Sequence, residues 1–311
     1  MTAFFCVACG GSGSAPSSPG PVAVAPSAPE GDSNSGNEET SIVQRGIEYA
    51  LGQTEGGSKS LQLDIYQPSG NCISYRPTIL FIHGGGFVGG SRTSEAITRH
   101  ANAALDEQFN FVSMSYRLAG DNPLLSTPYR PIAEQVNASS FNTETEIINA
   151  AIAALEDSAA AIDWMDQNAS DYCLNMSRFA LWGSSAGAFT VLNAAYSLDN
   201  FNITLAAEPD VVINYWGNLL FDAHLDFMEA PFITVHGDAD RTVPYQGALN
   251  LAMRADEVGV PYAFYTEVGG GHGVGPGETV DDTTILELTM DFLEAHLVGG
   301  VANYETANID P

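Results

Sequence analysis

The sequence predicts an α/β protein whose mostly parallel β-sheet is covered by helices on both faces. Two observations favour this fold class. From residue 42 onward, short apolar or alternating runs typical of strands recur along the chain, and stretches of helical length separate them. Strands that alternate with helices pair in parallel, because each helix carries the chain back across one face of the sheet. The length of 311 residues suits one large domain of this kind or two small ones.

The predicted strands show two kinds of pattern. Residues 60–66 alternate between apolar and polar side chains and are followed by Pro68, as in a half-buried strand that ends in a turn. Residues 78–82 form a continuous apolar run, which is typical of a strand buried on both faces. Further strands are predicted at residues 109–116, 179–182, 211–215, 232–236 and 263–268.

Helices are predicted between these strands. Apolar residues recur at three- and four-residue steps from Ile148 to Met165, which indicates an amphipathic helix. Residues 188–195 predict a second helix, and residues 285–297 predict a third near the end of the chain. The connection at residues 120–146 is long and rich in Pro, Asn, Ser and Thr. Loops of this length are commonly functional, so these residues are a candidate lid, with a surface insertion without a role as the alternative.

The net charge excludes two classes of function. The chain carries 10 Lys and Arg against 38 Asp and Glu, which gives a formal net charge of −28. A protein that binds nucleic acid needs a basic face to displace counterions, and anionic lipid would repel so acidic a chain. A membrane-spanning helix needs a run of about 18 apolar residues, and the sequence contains none. We therefore expect no nucleic-acid partner and no transmembrane segment.

Residues 1–40 differ in composition from the rest of the chain. Residues 1–10 are apolar and small, and residues 11–39 are rich in Gly, Ser, Pro and Ala. Such a segment buries too little apolar surface to offset the entropy of ordering, which predicts a flexible linker. Residues 7–10 resemble the end of a bacterial lipoprotein signal, in which Cys9 would be lipidated. The start has no Lys or Arg and its apolar run is short, so an accidental likeness is the alternative.

The composition of residues 1–40 predicts that the protein is exported. We expect a signal remnant and tether at residues 1–40, and a folded domain at residues 41–311. The protein would then be exported, either periplasmic, tethered to the outer membrane as a lipoprotein, or secreted.

A motif of the form G-x-S-x-G, at residues 183–187, places a candidate nucleophile at Ser185. The motif alone is weak, because Gly and Ser are common. Here it lies between the predicted strand 179–182 and the predicted helix 188–195. A strand that turns sharply into a helix strains the backbone of the serine and exposes its hydroxyl, which is the context that the chemistry requires.

A serine hydroxyl needs a base to remove its proton and an acid to orient that base. Both partners are predicted in loops that follow later strands, at Asp240 and His272. The order Ser185, Asp240, His272 is the chain order that this architecture uses. Asp238 is the rival candidate for the acid.

A loop of glycines after the strand 78–82 predicts an oxyanion hole. Residues 83–87 (HGGGF) leave main-chain N–H groups free to approach the negative oxygen of a tetrahedral intermediate. The predicted donors are the N–H groups of Gly85, Gly86 and Ala186, while His83 braces the loop. A phosphate-binding loop is disfavoured, because no Lys and no Walker pattern follows.

These motifs together resemble the α/β-hydrolase esterases with an HGGG oxyanion loop, which include hormone-sensitive-lipase-like and acetylxylan or feruloyl-type esterases. The resemblance extends from about residue 61 to residue 297. It is carried by His83–Phe87, Ser115–Leu118, Trp182–Gly187, His236–Asp240 with Val243 and Pro244, and Gly271–Gly273. It implies the α/β-hydrolase fold for residues 41–311, and hydrolysis of carboxylic esters through an acyl-enzyme without metal or cofactor.

The expected substrate is a small-molecule ester with a short acyl or aryl group, including carbohydrate-linked esters. Two positions depart from the family pattern. Ser184 stands where lipase-like members carry Asp and cholinesterase-like members carry Glu, and Ala188 replaces a common Gly. The strong negative charge of the chain favours neutral esters over anionic ones.

The resemblance also implies a disulfide bond. The family's strand order places the strand that ends at His83 beside the strand that ends at Gly183. Cys72 lies 11 residues before His83, and Cys173 lies 10 residues before Gly183. The two would lie at similar depth, at the end of the sheet away from the active site, and would be paired in an exported protein.

Two other functions remain open at this stage. One is a serine peptidase of the same fold, which the HGGG loop and the lack of a preceding propeller-sized domain disfavour. The other is a non-catalytic binding protein on this scaffold, which would be expected to have lost a member of the triad.

Overall fold

A computed structural model describes residues 41–70, 75–138 and 144–310. Within these ranges the chain forms eleven strands and six α-helices. The strands are β1 (Ser41–Thr54), β2 (Gly57–Pro68), β3 (Arg76–Ile82), β4 (Asn110–Met114), β5 (Leu174–Ser184), β6 (Val211–Tyr215), β7 (Phe232–Gly237), β8 (Tyr262–Glu267), β9 (Thr279–Val280), β10 (Thr283–Thr284) and β11 (Thr306–Ile309). The helices are α1 (Glu95–Asp106), α2 (Arg130–Ala138), α3 (Thr145–Gln167), α4 (Ala186–Tyr196), α5 (Tyr245–Val258) and α6 (Ile285–Leu297). The predicted leader with Cys9, and the predicted disulfide partner Cys72, lie outside the described residues.

Nine of the described strands form a single sheet in the order β1-β2-β4-β3-β5-β6-β7-β8-β11. The pairs β1–β2 and β2–β4 are antiparallel, and the other neighbours in this sheet are parallel. Ile82 at the end of β3 pairs with Gly183 of β5, so the strand adjacency that the resemblance implied is present. The predicted mostly parallel sheet is confirmed.

The helices cover both faces of the sheet. Along β3, Leu80 and Ile82 pack into the core on the face that α3 and α4 cover, whereas Ile79 and Phe81 pack on the face of α1 and α6. This alternation follows from the two-residue repeat of a strand. Every residue of α4 is buried, which explains why its sequence is apolar on all sides. None of the helices described here is both long and apolar enough to cross a membrane.

Several of these elements were not predicted, among them β1, β11 and α2. β1 is a long edge strand whose two-residue pattern is broken by register shifts in its pairing with β2. β11 adds four residues to the opposite edge of the sheet. The connection at residues 120–146 contains α2, whose buried residues Ile132, Ala133 and Val136 share one helix face, so it is not a structureless loop.

The parallel strands place the candidate site. The loops that follow β3, β5, β7 and β8 leave the sheet at the same edge, because parallel strands end on the same side. These four loops carry the glycine loop at residues 83–90, Ser185, Asp240 and His272, respectively. Residues that are far apart in the sequence are therefore brought together by topology alone.

Candidate active site

Ser185 occupies a strained turn between β5 and α4. Its backbone lies at φ 54° and ψ −118°, in a region that a residue with a side chain rarely adopts. A Cβ atom on Gly187 would overlap the carbonyl of Ile82, and one on Gly183 would overlap the backbone of Gly187. Gly187 is therefore required by the close approach of α4 to β3, and Gly183 by the close approach of β5 to α4. Ser185 itself is 8% exposed.

Ser185, His272 and Asp240 form one hydrogen-bonded chain. Oγ of Ser185 lies 2.9 Å from Nε2 of His272, and Nδ1 of His272 lies 2.8 Å from Oδ2 of Asp240. The carboxylate accepts the proton on Nδ1, which leaves Nε2 as an acceptor for the serine hydroxyl. The His272 side chain is 26% exposed, so a substrate can reach it from solvent.

Asp240 is buried, yet it is held in its charged form. Burial on its own would raise the pKa of this carboxyl group, but hydrogen bonds from His236 and His272, and from the backbone N–H groups of Val243 and Thr242, lower the pKa well below its usual range. The two backbone bonds to Oδ1 are 3.0 Å and 2.7 Å long. Asp240 therefore presents a fixed negative charge to His272.

The rival acid, Asp238, has a different partner. Its Oδ1 accepts a hydrogen bond from the backbone N–H of Gly269, at 2.6 Å. This bond ties the loop after β7 to the loop that carries His272. Of the two candidate acids, the structure brings Asp240 to the imidazole.

The glycine loop after β3 is shaped by its backbone. Gly85 and Gly86 lie at φ 125° and 61°, and a Cβ on Gly85 would overlap the carbonyl of Gly89. Ala186 follows the candidate nucleophile as the first residue of α4. Its N–H lies in the first turn, where a helix leaves its N–H groups without internal acceptors. The predicted oxyanion donors thus lie in two elements, Gly85 and Gly86 in the glycine loop after β3 and Ala186 in the first turn of α4.

The side chain of His83 contacts both this loop and the ring of Tyr116. Its Nδ1 lies 2.7 Å from the carbonyl oxygen of Gly84, and its ring stacks on Tyr116 at 4.4 Å between centroids. The hydroxyl of Tyr116 donates to the carbonyl of His83 at 2.8 Å. Burial lowers the pKa of His83. These contacts agree with a bracing position for His83.

Two family models match different parts of the chain. The family model described as BD-FAE matches residues 63–127 and 140–215, and the model of the prolyl oligopeptidase family matches residues 214–299. No curated protein matches the chain.

Solved structures match nearly the whole domain. A truncated carbohydrate esterase from gut microbiota is 18% identical, with a TM-score of 0.59 over 84% of this chain and 99% of that one. Thermogutta terrifontis esterase 2 phosphorylated by paraoxon is 18% identical, with a TM-score of 0.58 over 85% and 97%. The chain has the α/β-hydrolase fold. A third similar structure, MGS-M1, is an α/β-hydrolase enzyme from a Medee basin deep-sea metagenome library, with 18% identity and a TM-score of 0.55 over 84% and 100%.

In this α/β-hydrolase fold, Cys173 directly precedes β5 and is disulfide-bonded. Its carbonyl oxygen accepts a hydrogen bond of 2.9 Å from the side-chain amide of Asn110, the first residue of β4. Arg76 at the start of β3 pairs with Leu174, so the predicted level of the disulfide, away from Ser185, agrees with the register. The pairing with Cys72 itself stays a prediction.

A contact that the sequence did not predict involves Asp240, the candidate acid of this fold. Nε2 of His236 is 3.3 Å from Oδ2 of Asp240 and 2.9 Å from the carbonyl oxygen of Val243. His236 is fully buried. The residue lies in a motif that the sequence analysis singled out, but its contact with the acid depends on how the loop folds back.

Within the described ranges, no group of three or more His, Cys, Asp or Glu side chains is arranged to hold a metal ion. A cavity of about 290 Å³ lies next to the Ser185–His272–Asp240 chain of hydrogen bonds. Its lining includes Gly84 of the glycine loop, Ser184 beside the candidate nucleophile, and Trp216, whose ring lies 6.5 Å from that of His272.

Proposed function

We propose that the protein is a serine carboxylesterase that hydrolyses short-chain acyl or aryl esters, including carbohydrate-linked esters, through an acyl-enzyme. The observation that carries this proposal is the hydrogen-bonded chain from Ser185 through His272 to Asp240. A nucleophile, a base and an orienting acid in this geometry are what acyl transfer requires.

In the first half of the reaction, Oγ of Ser185 attacks the ester carbonyl while Nε2 of His272 takes the hydroxyl proton. The carbonyl oxygen becomes negative and accepts hydrogen bonds from the N–H groups of Gly85, Gly86 and Ala186. The intermediate then collapses to the acyl-enzyme. The alcohol leaves with the proton that His272 returns to it.

In the second half, water replaces the alcohol. His272 takes a proton from the water as the oxygen attacks the acyl carbonyl, and the same N–H groups hold the new oxyanion. Collapse of this intermediate releases the carboxylic acid and returns the proton to Oγ of Ser185. Asp240 stays ionised throughout and stabilises the imidazolium that forms twice in each cycle.

The test is hydrolysis of p-nitrophenyl acetate, butyrate and decanoate. We expect wild-type activity to be greatest on the two short chains, and Ser185→Ala to lose it. Ser177→Ala, which changes an exposed serine earlier on the same strand, is the matched control and should retain wild-type rates. Ester hydrolysis that survives in Ser185→Ala would contradict the assignment.

A serine peptidase is the second candidate function. It is favoured by the match of the prolyl oligopeptidase family to residues 214–299, which include Asp240 and His272. The nucleophile and the glycine loop lie in the part that BD-FAE matches. Parallel assays of p-nitrophenyl butyrate and of aminoacyl p-nitroanilides distinguish the two, because a peptidase would cleave the anilides efficiently.

A binding protein on this scaffold would not react with substrates of either class. A fluorophosphonate that labels serine nucleophiles tests this directly, since labelling requires the activated hydroxyl of Ser185 and no knowledge of the natural substrate. Labelling of wild type and not of Ser185→Ala would eliminate the binding protein.

We also propose that the protein is exported and that Cys9 is lipidated. The disulfide at Cys173 supports export, because such bonds persist in oxidising compartments. Expression with radiolabelled palmitate, in wild type and Cys9→Ala, followed by membrane fractionation, tests the anchor. Equal incorporation of the label in wild type and Cys9→Ala would contradict lipidation of Cys9.

The candidate lid at residues 120–146 remains a prediction, and deletion of α2 with assay of long-chain esters would test it.

A further inference from the structure

The cavity beside Ser184 is lined by aromatic residues and by residues that carry hydroxyl groups. The aromatic residues include Phe81, Tyr215 and Trp216, and the serines include Ser91 and Ser94. Ser94 begins α1 without using its side chain as a helix cap, so its hydroxyl is not committed to the helix. A volume of about 290 Å³ is enough for a small ring.

His100 on α1 also lines this cavity. It is 7% exposed, and its buried Nδ1 atom has no hydrogen-bond partner among the residues that the structure describes. Burial and, after it, the positive charge of Arg99 lower the pKa of His100 to about 4, so the ring is neutral near pH 7. A neutral imidazole carries one N–H group, so the His100 ring can donate one hydrogen bond to a ligand in the cavity.

The charge that lines the cavity is positive, although the chain as a whole is acidic. Arg99 lines the cavity and forms no ion pair with a described carboxylate. No described Asp or Glu contributes to the lining, and the residue before the candidate nucleophile, Ser184, is uncharged. Among the described residues that line the cavity, Arg99 is the one with a permanently charged side chain.

The position of the cavity indicates which half of an ester it would hold. His272 must reach the oxygen of the leaving alcohol. The cavity lies on the His272 side, because Trp216 contacts that ring and Val274 and Pro276 follow it in the chain. The predicted oxyanion donors Gly85, Gly86 and Ala186 are not part of the lining. The leaving group, rather than the acyl group, therefore fits this space.

We propose that this cavity binds a carboxylate carried on the leaving-group half of the ester, with Arg99 pairing with the carboxylate and the ring of His100 donating a hydrogen bond to it. The inference rests on the proposed function and narrows its substrate class to esters of hydroxy acids. It also replaces the expectation of neutral esters, which considered only the net charge.

A matched pair of substrates tests the proposal. 4-Acetoxybenzoate and 4-acetoxybenzamide have the same acyl group and ring, and differ in the charge at the far end of the leaving group. After correction for their alkaline hydrolysis rates, we expect wild type to favour the carboxylate about fivefold in kcat/KM, as for a charge-assisted pair at a partly solvated site. Arg99→Gln should remove this preference, so that the ratio of the two kcat/KM values falls to about one.

Two further variants sharpen the result. Arg178→Gln removes an exposed arginine outside the cavity and should keep the wild-type preference, which controls for net charge. His100→Phe keeps an aromatic ring in place of the imidazole and should reduce the preference. A wild-type ratio near one, or a preference that survives in Arg99→Gln, would overturn the proposal.

Binding separates failure of this inference from failure of the proposed esterase activity. Calorimetric titration with 4-hydroxybenzoate and 4-hydroxybenzamide needs no catalysis. We expect tighter binding of the carboxylate to wild type, and equal binding of the two to Arg99→Gln. If the protein hydrolyses neither ester nor p-nitrophenyl acetate but shows this difference, the esterase proposal fails and the carboxylate site stands. If the two compounds bind wild type equally, the site is rejected whatever the activity.

Discussion

Nε2 of His236 lies 3.3 Å from Oδ2 of Asp240, the same oxygen that accepts the hydrogen bond from His272. One carboxylate oxygen thus faces two imidazole rings: that of His236, which is buried, and that of His272, which also contacts Oγ of Ser185. Because Nε2 of His236 also lies 2.9 Å from the carbonyl of Val243, it must carry a proton. His236 is a positioning residue that fixes the loop bearing Asp240.

Replacement of His236 by Phe should therefore lower kcat about tenfold with little change in KM, since a hydrogen bond to a charged group is worth about 1.5 kcal/mol or more. His236→Gln, which retains an N–H donor, should recover part of the loss. His296→Phe, at the far end of α6, is the control. Equal kcat values for His236→Phe and wild type, with the fold intact by circular dichroism, would refute the role.

The two glycines of the proposed oxyanion hole should differ in their tolerance of a side chain. A Cβ on Gly85 would overlap the carbonyl of Gly89, whereas the nearest atom to a Cβ on Gly86 is 3.9 Å away. Gly85→Ala must distort the loop, so we expect turnover to fall about 100-fold or more, as when one oxyanion donor is lost.

Gly86→Ala should be milder. Its φ of 61° costs an alanine about 1 kcal/mol of stability, but no atom is displaced. Gly89→Ala meets open space and serves as the neutral control. The measurements are kcat on p-nitrophenyl butyrate and the midpoint of urea unfolding for each variant. Similar turnover in Gly85→Ala and Gly86→Ala would show that the loop does not act through its backbone geometry.

The parts of the site that chemistry and chain order dictate could be predicted from the sequence. Ser185, Asp240 and His272 each follow an apolar strand, and parallel strands bring such loops together. The contact of His236 with Asp240 could not be predicted, because it depends on how the loop after β7 folds back on itself. The cavity around His100 was missed for a similar reason: α1 and the loop after β8 meet only in three dimensions.

Some elements of the fold could likewise be predicted from the sequence, and others could not. Strands buried on both faces, such as β3 and β7, can be recognised in the sequence as continuous apolar runs. β1 could not be recognised, because its register shifts break the two-residue pattern, and because Ile42, Val43 and Leu51 are exposed apolar residues at the sheet edge. α2 is short and follows a stretch rich in turn-forming residues, which concealed its apolar face.

A buried ion pair should make Arg117 the most sensitive arginine for stability. Its Nε lies 2.9 Å from Oδ1 of Asp157, and its Nη1 donates to the carbonyls of Gln53 and Leu124. Removal of one partner leaves the other charge buried and unpaired. We expect Arg117→Met to lower the free energy of unfolding by about 3–5 kcal/mol, measured by urea denaturation. The free energy of unfolding of the double variant Arg117→Met/Asp157→Leu should fall less than that of Arg117→Met alone. A decrease equal to the sum of the decreases in the two single variants would argue against coupling between the two residues.

Ionisation of Glu229 should destabilise the fold above neutral pH. Burial, and then the charges of Asp199, Glu208 and Asp226, raise the pKa of Glu229 to about 7. In the unfolded chain the same group titrates near pH 4.5. Between these two pH values the folded state binds more protons, so this group's contribution to stability increases as pH falls from above 7 towards 4.5.

Glu229→Gln removes the charge without changing the shape of the side chain. We therefore expect it to raise the melting temperature by about 2 °C at pH 8, where wild type is ionised, and to leave it unchanged at pH 4.5. Glu134→Gln, at an exposed position on α2, removes the same charge from an open surface and should show no such difference between the two pH values. Because half of Glu229 is solvated, salt should weaken its effect, and scanning calorimetry at low and high ionic strength provides that check. A shift at pH 8 that matches the shift at pH 4.5 would mean that Glu229 acts through packing rather than through its charge.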